Sequence, residues 1–283
     1  MASTRELRRR IRSARATKQI TRAQEMIAAA RLRPATQAAF SSREYSEKLG
    51  CLISDLLCSN QEPLLHPWLT INSHAPRLII ALASDQGLAG AFQGNLLRAT
   101  VRIHEQDSTA LFLPIGKRLI SSLHRLNYPL LLEEVAMPRQ PSIEDAKKIS
   151  ELIGGLLLAG KISGVTLLTT RYKTTLIQEV HSSAMLPIPI LTTVGGGVEA
   201  LYEPSPNAVL AALLPQFLTA IIYTAYLESK ASEYASRRTA MHAATDNADD
   251  LISRLTLTYN RVRQAAITTE IAEIVGGAAA LTN

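Results

Sequence analysis

Residues 248–266 read ADDLISRLTLTYNRVRQAA, and within them Ala248, Ile252, Leu255, Tyr259, Val262 and Ala266 recur at alternating steps of four and three. That spacing is the seam of a helix built to lie along another helix. Working outward, only Pro215 interrupts residues 207–281, near their start, so one helix of more than about 100 Å is expected. A chain of 283 residues has no use for such a rod unless something pairs with it. The partner is at the other terminus. Residues 4–57 hold one interior proline, Pro34, and one late glycine, with apolar residues at Leu7, Ile11 and Ala14, then Ile20, Ala23, Ile27 and Ala30, and later Tyr45, Leu49, Leu52 and Leu56. Fully helical, this segment reaches about 80 Å. The shift between Ala14 and Ile20 predicts an irregular seam. Pro34 removes a backbone donor and predicts a kink or break near Arg33. Two terminal helices, each with an Ala-rich seam, are expected to bury those seams in an antiparallel coiled coil.

The middle reads differently. Short β-type runs at 78–83, 110–114, 165–170 and 175–181 alternate with helical stretches at 93–105, 116–126 and 142–158, the pattern of an α/β domain with a largely parallel sheet. Pro187, Pro189 and Gly195 to Gly197 form a loop exit. The expected class is therefore α/β: a long antiparallel coiled coil of N- and C-terminal helices plus a central Rossmann-like α/β domain. The segments are 1–58 for the first coiled-coil helix, 76–200 for the α/β domain and 207–283 for the second coiled-coil helix.

Composition agrees with a folded protein: 47% hydrophobic, 19% charged, 14 Gly and 13 Pro exclude disorder and collagen. Aromatics are 5%, so the core is aliphatic and Ala-built. Cys51 and Cys58 sit seven apart on one helix face, too far for a disulfide, and are expected to be reduced and buried, in an intracellular setting. The Arg-rich start lacks the apolar stretch of a secretory signal, and none is expected. Residues 204–227 carry no charge, which meets the length criterion for a membrane span, but Pro204, Pro206, Pro215, Asn207 and Gln216 interrupt it and the pattern runs on into Glu228, Lys230 and Glu233. A buried start to a long helix is the better reading. The net charge of +6 is uneven: residues 1–33 hold nine Arg and Lys18 against Glu6 and Glu25, a local +8. Such an arm serves nucleic acid, lipid or an acidic protein partner.

Motifs for chemistry are absent where they would count. Ser84-Asp85-Gln86-Gly87-Leu88-Ala89-Gly90 follows the first strand, but Gly87, Gly90 and Gly94 do not reproduce G-x-G-x-x-G. Gly116-Lys117 lacks the P-loop's upstream glycine, since position 111 is Leu111, and its hydroxyl, since position 118 is Arg118. Both stretches read as strand-to-helix turns. The histidines at 66, 74, 104, 124, 181 and 242 form no H-E-x-x-H or Cys/His cluster, and Gly160-Lys161-Ile162-Ser163-Gly164 puts Ile where a nucleophile elbow needs Ser. Neither a metal site nor a cofactor is expected. Glu133-Glu134 and Asp249-Asp250 read as solvated surface. Arg8, Arg9 and Arg10 could meet phosphates, which leaves a nucleic-acid-binding coiled coil with a basic N-terminal helix as the alternative function, though no aromatic residues interleave for base stacking.

The two terminal segments resemble the gamma subunit of F-type ATP synthases. At the N-terminus the likeness is carried by Arg8-Arg9-Arg10-Ile11, Thr17-Lys18-Gln19-Ile20-Thr21-Arg22-Ala23 and Met26-Ile27-Ala28-Ala29-Ala30-Arg31-Leu32-Arg33. At the C-terminus it is Ala231-Ser232-Glu233, Ala240-Met241, Ala244-Thr245-Asp246-Asn247-Ala248, Leu255-Thr256-Leu257, Tyr259-Asn260, Arg263-Gln264-Ala265, Ile267-Thr268, Glu270 and Glu273-Ile274-Val275-Gly276-Gly277-Ala278. The loop 84–90 and Leu201-Tyr202-Glu203-Pro204 also resemble family segments. The resemblance implies a non-catalytic rotor shaft that couples ion-driven rotation of the membrane ring to ATP synthesis or hydrolysis. Its implied partners are three alpha and three beta subunits, epsilon and the c-ring, with no nucleic acid. The implied location is peripheral, on the cytoplasmic face of the bacterial inner membrane. It further implies that Arg263, Gln264, Thr268 and Glu270 meet the beta-subunit catch, that Arg9, Gln24, Arg31 and Arg33 meet the acidic beta lever, and that Tyr202 and Glu203 meet the membrane ring. Gln24 where the family has Met, Gln86 for Arg, Ala89 and Ala91 for Cys and Gly, and Pro34 mark a divergent member, as from an alternative operon. Without an inserted cysteine pair, plastid-type thiol control is not implied.

Overall fold

A computed structural model describes residues 3–59, 66–69, 75–132, 135–188 and 202–281. Helix α1 spans Thr4–Ser59 and helix α5 spans Pro206–Leu281, 56 and 76 residues, or about 84 and 114 Å at 1.5 Å per residue. Pro206 opens α5 at the position where its missing N–H costs least. Between the two lie β1 (Arg77–Leu82), α2 (Phe92–Gln106), β2 (Leu111–Ile115), α3 (Lys117–Arg125), α4 (Ile143–Leu158), β3 (Gly164–Tyr172) and β4 (Gln178–Leu186). The expected loop exit at Gly195 to Gly197, Pro189, Leu201, His74 and the pair Glu133-Glu134 lie outside the described residues. The chain divides into two compact units: Met1–Ala28 with Arg238–Asn283, and Ala29–Arg237.

The first unit is a helix pair. Its cross-links are Arg8 to Tyr259, Lys18 to Asp249, Thr21 to Thr245 and Glu25 to His242, so one helix is read downward as the other is read upward, and the pairing is antiparallel. Buried positions on α1 are Leu7, Ile11, Ala14, Thr21 and Ala28, and on α5 Met241, Thr245 and Ala248, followed by the half-buried Ile252, Leu255, Tyr259 and Val262. The expected seam needs correction on α1: Ile20 and Ile27 are exposed, as are Ala23 and Ala30. Leu7, Ala14, Thr21 and Ala28 keep a strict seven-residue step, so the phase shift does not exist. A polar Thr21 in the seam and apolar neighbours facing outward produced the false slip. On α5 the seam ends at Val262, and Ala266 is exposed.

The second unit is a sheet between helical layers. The strand order is β2-β1-β3-β4, with β1 parallel to β2 and β3, and β4 antiparallel to β3. Only residues 173–177 join β3 to β4, too few for a parallel crossover. The fourth strand starts later than expected because the Thr174 hydroxyl accepts the N–H groups of Leu176 and Ile177 and makes a turn there. Along β1, Leu78, Ile80 and Leu82 join one core with Ile53 and Leu56 of α1, Ile153 of α4, and Leu214, Leu218, Ile222 and Tyr226 of α5. Ile79 and Ala81 face the other core with Leu96, Leu119 and Leu123. This alternation places α2 and α3 on one face and the long helices with α4 on the other. α5 is long and apolar enough to cross a membrane by length and composition, yet its uncharged start is core.

Pro34 does not break α1, which runs unbroken from Thr4 to Ser59. A proline inside a helix costs about 3 kcal/mol, and packing just beyond it offsets that: Ala35, Ala38 and Ala39 cluster with Leu227, Ala231, Tyr172 and Tyr223. Cys51 and Cys58 are free but exposed, not buried, since the buried face of that turn is Ile53, Ser54 and Leu56.

Candidate functional site

In an open α/β sheet the usual ligand crevice lies past the carboxyl ends of the strands, where the strand order reverses, here between β1 and β3. α5 lies across that place. The Ser229 hydroxyl approaches the Leu82 carbonyl at 3.5 Å, Ser232 donates to the Thr170 carbonyl at 2.8 Å, and Ser236 donates to the Ala89 carbonyl at 2.7 Å. Steps of three and four keep these hydroxyls on one side of α5, and the fully buried Ala231 and Ala235 let the helix come close. Among them sits a buried ion triad: Glu233 accepts from Lys230 at 3.0 Å and from Arg237 at 2.8 Å, and Arg237 also donates to the Gly87 carbonyl at 3.2 Å. Glu228, buried as well, pairs with Arg43 of α1 at 2.6 Å. Burial and the charge of Asp145 push the Tyr226 phenol above its ordinary range, so it stays neutral.

The loop 84–90 is likewise filled from within. Asp85 Oδ1 accepts the Lys117 N–H at 2.9 Å, at the first residue of α3, and the Met137 N–H at 3.2 Å. A helix N-terminus attracts anions; here the chain supplies its own carboxylate. Gly116 precedes α3 with φ +115°, and a Cβ there would stand 2.7 Å from the Ala83 carbonyl oxygen, so glycine is required for packing as well as for the turn. The signal for this joint in the sequence is serines at 229, 232 and 236 alternating with Ala231 and Ala235, with Lys230, Glu233 and Arg237 among them.

The residues named from the resemblance fall as follows. Arg263, Gln264, Thr268 and Glu270 are all exposed on α5, within a stretch in which every side chain from 263 to 278 is exposed. Their spacing puts them on one broad side of the helix, and Thr268 donates its hydroxyl to the Gln264 carbonyl at 2.9 Å. The same stretch displays Ile267, Ile271, Ile274 and Val275. Arg9 is exposed and Gln24 half-buried in the first unit; Arg31 and Arg33 are exposed in the second. Tyr202 packs half-buried against the main core, while Glu203 is exposed.

The basic arm is partly neutralised within its own helix pair. Arg8 donates to the Tyr259 hydroxyl at 2.8 Å and lies over its ring, Arg10 pairs with Glu6 at 2.6 Å, and Lys18 pairs with Asp249 at 2.5 Å. Arg5, Arg9, Arg12 and Arg15, spaced by fours and threes, stay exposed beside these pairs, so the arm keeps a cationic side that suits an acidic partner. Among the described residues no cluster of His, Cys, Asp or Glu could hold a metal.

Comparison with known proteins is consistent along the chain. A family model described as ATP synthase matches residues 3–281. The ATP synthase gamma chain of Halothermothrix orenii is 38% identical over 286 residues, covering 99% of this chain and 100% of the relative. That of Brevibacillus brevis is 39% identical over 280 residues, covering 97% of each. In fold, the chain is similar to one in the Euglena gracilis mitochondrial ATP synthase, solved with OSCP, F1 and c-ring, at a TM-score of 0.69 and 15% identity, covering 98% of this chain and 94% of that one. A second similar chain, from the Tetrahymena thermophila central stalk and c-ring, gives 0.62 and 22%, covering 80% and 99%.

Proposed function

This chain belongs to the ATP synthase gamma-chain family, and from that footing we propose that it is the central rotor shaft of an F-type ATP synthase. It couples rotation of the membrane ring to nucleotide turnover on the catalytic ring, makes and breaks no bond itself, and needs no cofactor. Its partners are three alpha and three beta subunits, epsilon and the c-ring, and it sits peripherally at the cytoplasmic face of the bacterial inner membrane.

The observation that carries this reading is the stretch of α5 from Arg263 to Ala278, helical and exposed on every side, with Ile267, Ile271, Ile274 and Val275 unpartnered. Exposed aliphatic surface of this kind calls for a surrounding partner. Glu270 and Glu273 are its only acidic side chains, so few fixed ion pairs would hold it in one orientation inside an apolar sleeve. In this role Arg263, Gln264, Thr268 and Glu270 meet the beta catch, Arg9, Gln24, Arg31 and Arg33 the beta lever, and Tyr202 with Glu203 the membrane ring. The coiled-coil segments 1–58 and 207–283 are the shaft and 76–200 its foot.

The test is reconstitution. The purified chain alone is expected to hydrolyse no ATP, and with alpha and beta subunits to form a complex in which ATP turns it. A free-standing hydrolase, or failure to assemble, overturns the reading.

A further inference from the structure

Four hydrogen bonds join α5 to the carboxyl end of the sheet and to the loop that follows β1: Ser229 to Leu82, Ser232 to Thr170, Ser236 to Ala89 and Arg237 to Gly87. Apolar burial alone is non-directional and would let a smooth helix turn or slide on the sheet. Hydrogen bonds are directional and fix both motions. Thr170 lies beyond Leu168, the last residue of β3 that pairs with β1, and is paired only with Val180 of β4, which leaves its β1 side to α5. The loop that receives two of the bonds is itself immobilised. Asp85 ties it to the first N–H of α3 and to Met137, and Arg118 of α3 lies so close over Gly87 that a Cβ there would stand 2.8 Å from its Nη2. Inside the joint, Glu233 holds Arg237 at 2.8 Å and so aims the guanidinium that reaches Gly87.

We propose that the loop 84–90, with Ser232, Ser236 and Arg237, is a torsional clamp that fastens α5 to the sheet, and that Asp85 is its positioning residue. The inference rests on the rotor reading, which puts this joint under torque. α5 runs unbroken through it from Pro206 to Leu281. The apolar core holds α5 from Leu214 to Tyr226, and Ser232 to Arg237 add directional bonds to that grip. The place where an open α/β sheet usually takes its ligand is used to grip the chain's own helix.

The experiment uses the assembled complex with the catalytic ring immobilised and a bead fixed to the rotor's sheet domain, and reads torsional stiffness from the bead's angular fluctuations alongside ATP hydrolysis. Ser232→Ala with Ser236→Ala deletes two of the bonds without disfavouring the helix, because Ala is the best helix former. Stiffness is expected to fall at least about twofold while hydrolysis changes by less than about twofold, as loss of directional bonds with apolar packing intact requires. Asp85→Ala should do the same, and Asp85→Asn, which keeps an acceptor oxygen, should restore most of the stiffness. Wild-type stiffness in the double serine variant overturns the clamp while leaving the rotor standing. A wild-type chain that does not assemble overturns both.

Discussion

Thr21 and Thr245 meet inside the helix pair, Oγ1 to Oγ1 at 2.9 Å, both buried. A polar pair in an otherwise apolar seam specifies register, because sliding either helix would leave both hydroxyls buried without each other. Thr245→Val alone should cost about 0.5 kcal/mol, since the Thr21 hydroxyl loses the bond it accepts from Thr245 but still donates to the Lys18 carbonyl at 3.0 Å. Thr21→Val with Thr245→Val should recover most of that. Chemical denaturation of the full chain, followed by circular dichroism, measures both; a double variant as unstable as the sum of the singles would refute the pairing.

Pro34 is held in α1 by its surroundings rather than suited to it. Pro34→Ala restores a backbone donor and removes a ring clash, and should raise stability by about 2 kcal/mol. The denaturation midpoint reports this directly. No change, or a loss, would mean that the helix depends on the proline.

Arg263 and Gln264 are both exposed, and among the described residues no hydrogen bond or ion pair ties either side chain to another element. Replacing both by Ala should therefore leave the isolated chain's unfolding within about 0.5 kcal/mol of wild type. In the assembled complex the same variant should reduce ion transport per ATP several-fold. Equal coupling in variant and wild type would remove these residues from the catch.

His66 accepts the Trp68 N–H at its Nδ1, 3.2 Å away, and burial lowers its pKa from 6.5. The neutral ring is favoured in the folded chain, so its contribution is complete above pH 6.5 and is lost as pH falls through the lowered value. Trp68, the single tryptophan, packs on Gly154 of α4 and reports the change. Its fluorescence should be flat above pH 7 and shift on acidification, and His66→Phe should abolish the shift. A transition above pH 7 would carry the wrong sign.

The sequence by itself determined the two long helices, their antiparallel pairing and the alternation of the middle, because hydrophobic period is a local property that survives without neighbours. It determined the α5 seam from Ala248 to Val262 but misread α1, where Ile20 and Ile27 outweighed a buried Thr21 that no periodicity scale rewards. Pro34 and the cysteines were judged by residue type, and the answers came from packing: alanines against Leu227 carry the helix past the proline, and the turn that buries Ile53 leaves both thiols outside.

Arg263, Gln264, Thr268 and Glu270 were named from the resemblance, and all four are exposed on one continuous stretch of α5. The joint between α5 and the sheet was not legible. Asp85 reaches Met137, 52 residues away, and Ser236 reaches Ala89 across 147. Only folding decides which distant carbonyl faces which hydroxyl, since a hydrogen bond depends on position and direction to within a fraction of an ångström and neither is written in the spacing of residues along the chain.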